Sequence, residues 1–191
     1  MKVSVIGGGT MGNGIAHVFA QFGNEVTLID VKQEYLDRAY GTIGKNLDRM
    51  VKKERISADD AKATLARLAT ATDLKAAAGS TLVVEAVFED PKIKAEVTAK
   101  VEEVVGADCI FATNTSSDSC AYVVQLGDLP GPLVNNASAI SLSGTLATPM
   151  KRFDLMHQIN TRGTFVCVQA CLPHLRRSAN PHVLMLSPPL T

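Results

Sequence analysis

Apolar positions switch between two periods over the first thirty residues. Residues 2–6, Lys-Val-Ser-Val-Ile, are a short, mostly apolar run suited to a buried strand. After a glycine cluster, Ile15, Ala16, Val18, Phe19 and Ala20 recur at helical spacing. Residues 25–29 return to a strand-like run that ends on Asp30. A longer helical pattern covers 33–53. Tyr35, Leu36, Ala39, Ile43, Leu47, Met50 and Val51 fall on one side, with Lys45, Asp48, Arg49, Lys52 and Lys53 on the other. Ser57-Ala58-Asp59-Asp60 reads as an N-cap and acidic first turn of a second helix, to about residue 68. Two helices in succession exceed what a plain crossover needs, so the pattern predicts an inserted helical hairpin.

Residues 69–72 suit a short strand and 73–78 a helical stretch. Residues 81–87 form a continuous apolar run broken by Glu85, the mark of a strand covered on both faces. Pro91 suits the first position of a helix reaching about residue 105. A strand over 109–113 then leads into the loop Asn114-Thr115-Ser116-Ser117. Residues 118–126 can form a crossover helix and 127–131, Gly-Asp-Leu-Pro-Gly, a turn. Two further strands are expected at 133–136 and 183–186, with a helix over 153–176 between them. With right-handed crossovers throughout, this predicts an α/β, Rossmann-type, doubly wound parallel sheet in the order 3-2-1-4-5-6-7. Residues 1–191 would then be one domain. A folded 1–117 unit carrying a loosely attached tail is the second possibility.

Composition narrows the partners. Lys+Arg and Asp+Glu both count 19, which leaves no electrostatic case for nucleic acid or an anionic membrane. No apolar run approaches a membrane span and the N-terminus reads as strand, so a cytoplasmic protein is expected. Cys109, Cys120, Cys167 and Cys171 show no metal-ligand spacing. Cys167 and Cys171 share a helix face and read as buried thiols.

The chemistry concentrates at the first turn. Gly7-Gly8-Gly9-Thr10-Met11-Gly12 is a G-x-G-x-x-G run between a strand and a helix. Gly7 allows the tight turn, Gly9 lets backbone approach a pyrophosphate, and Gly12 lets the helix pack close to the sheet. Thr10 and Met11 open a helix whose N–H groups can face phosphates. Asp30, at the tip of the second strand, can accept hydrogen bonds from the adenosine ribose and would repel a 2′-phosphate. NAD is therefore expected as cofactor, in preference to NADP. Glu85 and Asn114 to Ser117 fall at carboxyl strand ends, where a nicotinamide would lie. The basic face of the hairpin can be a solvated surface or hold an anionic substrate, and charge alone leaves both open.

The run from Gly7 to Ala16, Asp30, the hairpin, Val84-Glu85-Ala86-Val87-Phe88-Glu89 and Asn114-Thr115-Ser116-Ser117 closely resemble the NAD domain of bacterial 3-hydroxyacyl-CoA (3-hydroxybutyryl-CoA) dehydrogenases. The resemblance covers about residues 1–117. It implies that Ser116 touches the substrate oxygen, that Glu85 and Lys94 lie near the nicotinamide, and that the hairpin helps hold an acyl-CoA. It leaves a homodimer open. Asp90 stands where many members carry Asn. Beyond Ser117 the pattern stops: the position of the family's His base holds Ala137, and the partner Glu and all-helical C-terminal domain have no counterpart.

Residues 131–191 resemble another family. Leu133-Val134-Asn135-Asn136-Ala137-Ser138, the stretch from Asp154 to Thr164, and His182 to Pro189 are similar to motifs of short-chain dehydrogenases/reductases, most of all the hydroxysteroid dehydrogenase-like proteins. Asn160 and Ser187 match two members of that family's Asn-Ser-Tyr-Lys tetrad. The Tyr-Lys pair would follow Ser187 by about a dozen residues, and the chain ends at Thr191. Tyr is the acid/base of that chemistry, so Asn160 and Ser187 are expected to be vestigial. The chain thus reads as two Rossmann-type enzymes joined at 118–130. An engineered chimera, a recombination product and a misassembled gene would look alike. The expected function is NAD(H) binding with little or no turnover. An active NAD-dependent 3-hydroxyacyl-CoA dehydrogenase of fatty acid metabolism and a chimera of structural interest alone are the alternatives.

Overall fold

The computed structural model describes residues 1–106, 108–113, 133–135, 144–177 and 183–185. They fall into two compact units, 1–88 with 99–113 and 89–98 with 114–191.

The first unit is built on a five-stranded parallel sheet in the order β3-β2-β1-β4-β5. Its strands are β1 (Lys2–Ile6), β2 (Glu25–Ile29), β3 (Leu68–Ala71), β4 (Leu82–Glu85) and β5 (Ile110–Thr113). Strand β1 is buried from Val3 to Ile6, as a central strand with layers on both faces must be. Helix α1 (Thr10–Gln21) follows β1 and stops where Gly23 takes a left-handed φ of 85°. Helix α2 (Gln33–Lys52) buries Leu36, Ala39, Ile43 and Leu47, a stripe at spacings of three and four. Each such fully buried Leu or Ile contributes about 2 kcal/mol. Helix α3 (Ala58–Ala66) starts on Ser57, whose hydroxyl accepts from the Asp60 N–H while Asp60 reaches back to the Ser57 N–H. The expected hairpin is therefore α2 and α3. Both helices contribute to one core with Val3, Val5, Val26 and Leu28.

Register sets the site. Ile6 pairs with Ile29 on one side and Glu85 on the other, and Glu85 pairs with Thr113. The four residues form one row across β2, β1, β4 and β5, so Gly7, Asp30 and Ala86 all leave the sheet along its carboxyl edge.

Helix α4 spans Pro91–Glu102. In the second unit, β6 (Leu133–Asn135) and β7 (Val183–Met185) pair in parallel. Between them, α5 (Met150–His157) passes through a π-helical turn, Gln158–Gly163, into α6 (Thr164–Leu175). Cys167, Cys171 and Leu175, spaced four apart, are buried. The single seven-stranded sheet expected from the pattern needs correction: five strands take the expected order, but β6 and β7 form a two-stranded sheet of their own. Each contributes three residues, whose few ladder bonds go to the other. Across a connection as long as 114–132, adjacency in sequence does not dictate which edge a short strand joins. The expected helix at 118–126 and turn at 127–131 lie outside the described residues.

Candidate functional site

The glycine turn carries the least ambiguous geometry. Gly7 has φ +106°, and a Cβ there would lie 2.5 Å from the Ala86 carbonyl oxygen. A Cβ on Gly12 would lie 1.7 Å from the Gly7 carbonyl oxygen, so only glycine lets α1 start this close to the turn. Around Gly9 there is nothing within 4 Å of where a Cβ would be, so its backbone faces open space. Gly9 is the N-cap of α1, with no side-chain cap and no acid in the first turn. The first intrahelical donor is Asn13 N–H, bonded to the Gly9 carbonyl at 2.9 Å. The helix thus presents its leading N–H groups and the positive end of its dipole at an open backbone, the arrangement that receives a phosphate.

Asp30 stands at the same corner. Its Oδ2 accepts from the Gly8 N–H at 2.6 Å, tying the tip of β2 to the turn after β1. The half-buried carboxylate keeps Oδ1 for a second donor, as a ribose hydroxyl would supply. Thr10 and Met11 are exposed in the first turn of α1. Gly7, Gly9, Thr10, Met11, Gly12 and Asp30 are therefore brought to one corner at the carboxyl edge of the sheet.

Glu85 closes β4 and is fully buried. Its Oε1 accepts from the Val87 N–H at 2.8 Å and its Oε2 from the Thr113 hydroxyl at 2.5 Å. In the second unit, Lys94 is fully buried and its Nζ lies 3.7 Å from Glu89 Oε1. Sequence reasoning passed over Glu89. The signal was its spacing from Lys94, five residues across the start of α4, where an acid can pair with a buried cation. Asn160 is exposed in the π-helical turn, and its backbone carbonyl accepts from the Thr164 hydroxyl at 2.9 Å. Asn114, Ser116, Ala137 and Ser187 lie outside the described residues.

His17, on α1, is buried, and among the described residues its Nε2 meets no hydrogen-bond partner. Burial holds its imidazole below the usual histidine range. No helix among the described residues is long and apolar enough to cross a membrane.

A parallel sheet in this order, with a glycine turn into a helix and an acid on the neighbouring strand tip, defines a Rossmann-type dinucleotide-binding domain. The family of the 3-hydroxyacyl-CoA dehydrogenase NAD-binding domain matches residues 2–126, and the chain belongs to it. Its cofactor is NAD, which the open Gly9 backbone and Asp30 fit. The chain is 43% identical over 117 residues to a probable 3-hydroxybutyryl-CoA dehydrogenase of Deinococcus radiodurans, covering 61% of this chain and 42% of that protein. It is 66% identical over 58 residues to hydroxysteroid dehydrogenase-like protein 2 of Danio rerio, covering 30% of this chain and 14% of that protein. The crystal structure of 3-hydroxybutyryl-CoA dehydrogenase from Escherichia coli K12 superposes with a TM-score of 0.63 at 39% identity, over 65% of this chain and 26% of that one. The chain thus spans less than half the length of each of these three proteins.

Proposed function

We propose that this chain is an NAD(H)-holding module that by itself turns over little or nothing. The observation that carries the reading is the corner where Gly8 N–H meets Asp30 Oδ2 beside an open Gly9 backbone. When bound, the dinucleotide would supply or accept a hydride. The chain's own residues would bind the diphosphate at the start of α1 and the ribose at Asp30. Low turnover is supported by the sequence: the position that the resemblance gives to the general base holds Ala137, which can carry no proton. Losing such a base costs roughly 10²–10⁴-fold.

A second reading is an NAD-dependent dehydrogenase of short-chain 3-hydroxyacyl-CoA, with Ser116, Glu85 and Lys94 at its site. Lys94, fully buried with its ammonium 3.7 Å from the exposed Glu89 carboxylate, favours it, because taking a cation out of water is costly. On this reading an acyl-CoA is the second ligand and a homodimer the assembly. We also read residues 131–191 as derived from a short-chain dehydrogenase/reductase and joined to the first part at 118–130, with Asn160 and Ser187 at two positions of that family's tetrad. The 58-residue likeness to hydroxysteroid dehydrogenase-like protein 2 supports this derivation.

One assay separates the two readings. Acetoacetyl-CoA is added to the chain with NADH, and oxidation is followed at 340 nm against a full-length dehydrogenase. The first reading expects saturable NADH binding with turnover at least roughly a hundredfold below the control. Turnover near that of the control, lost in Ser116→Ala, would establish the second.

A further inference from the structure

We propose that Glu85 is a positioning residue that latches the peptide after β4 against the glycine turn and so sets where the turn meets the cofactor's diphosphate. The inference rests on the dinucleotide reading of the site. Just past the strand ends, hydrogen bonds run sideways from strand to strand. Gly7 N–H donates to the Ile29 carbonyl at 2.7 Å, and Ala86 N–H to the Ile6 carbonyl at 2.8 Å. Glu85 extends this row to β5, with one oxygen on Val87 N–H and the other on the Thr113 hydroxyl.

What Glu85 holds is the wall of the turn. A Cβ on Gly7 would lie 2.5 Å from the Ala86 oxygen and 3.2 Å from the Val87 nitrogen. The two segments thus touch backbone to backbone, with no side chain between them to absorb a shift. A displacement of residues 86–87 by a few tenths of an ångström must move Gly7, and Gly12 packs on the Gly7 carbonyl in turn. An apolar residue at 85 would fill the buried space but leave Val87 N–H without this acceptor. A carboxylate there keeps the wall in place, which accounts for an acid ending a strand that is otherwise apolar.

The test compares Glu85→Ala, Glu85→Gln and Thr113→Val in the full chain. NADH affinity is read by fluorescence at a temperature where circular dichroism shows each variant folded, and amide exchange at Val87 is read without cofactor. In E85A, the Val87 amide should lose protection and NADH should bind roughly tenfold or more weakly. E85Q keeps an oxygen for Val87 N–H, so it should hold protection and bind within about threefold of the parent. T113V removes one hold and should give an intermediate result in both readouts, which keeps the test open should E85A fail to fold. Unchanged exchange and affinity in E85A, or in T113V where E85A does not fold, would overturn the latch. E85Q as weak as E85A would also overturn it, assigning the effect to charge at the cofactor. A parent chain that binds no NADH would instead refute the dinucleotide reading, and Val87 exchange would still decide whether Glu85 holds the wall.

Discussion

Gly12 shows how little space the site allows. A Cβ there would fall 1.7 Å from the Gly7 oxygen, a distance only backbone movement can relieve. Gly12→Ala should therefore lower the melting temperature and weaken NADH binding roughly tenfold or more, read by thermal denaturation and fluorescence titration. Gly9→Ala meets no protein atom, so it should keep the melting temperature and lose affinity alone. A G9A chain that binds NADH as the parent does would place the diphosphate elsewhere. Asp30 Oδ2 is taken by the Gly8 N–H, and the proposed function gives Oδ1 to a ribose hydroxyl. Asp30→Ala should weaken NADH binding and bring the NADH and NADPH affinities within about threefold of each other.

His17 gives the residue scale a pH signature. Its folded-state pKa lies below 6.5, so as pH falls the unfolded chain takes the proton first. Stability should then rise with pH between that depressed value and about 6.5, with no contribution from His17 to the slope outside this window. His17→Leu should flatten this part of the curve, measured as urea midpoint against pH. An unchanged slope would assign the acid sensitivity to other groups.

At the scale of elements, α3 depends on its first turn. The Ser57 hydroxyl satisfies a backbone donor there, and Ser57→Ala should cost about 1 kcal/mol, visible as a lower denaturant midpoint with NADH affinity unchanged. The cap, the α2–α3 hairpin and the glycine turn are legible in the sequence because each is encoded within a few residues. The Glu85–Thr113 and Asp30–Gly8 bonds are different: they join positions 28 and 22 residues apart, and exist only once register has placed strand ends side by side. A strand-end acid is visible in the sequence, but what it holds is not. The π-helical turn within the predicted 153–176 helix is similarly hidden, since no residue type in 158–163 distinguishes i→i+5 from i→i+4 bonding.

For the whole molecule, the order of the first five strands follows from pattern, because right-handed crossovers between neighbouring strands leave few topologies open. The pairing of β6 with β7 in a separate sheet does not, since three-residue strands carry too little register information to choose a neighbour. Membership of the 3-hydroxyacyl-CoA dehydrogenase NAD-binding family over residues 2–126 carries NAD as the cofactor. Whether this corner grips NAD by its diphosphate and ribose is decided by calorimetric titration of the full chain with NADH and with NADPH. One NADH should bind per chain, saturably and roughly tenfold tighter than NADPH. No saturation at millimolar cofactor, or equal affinity for the two, would contradict it.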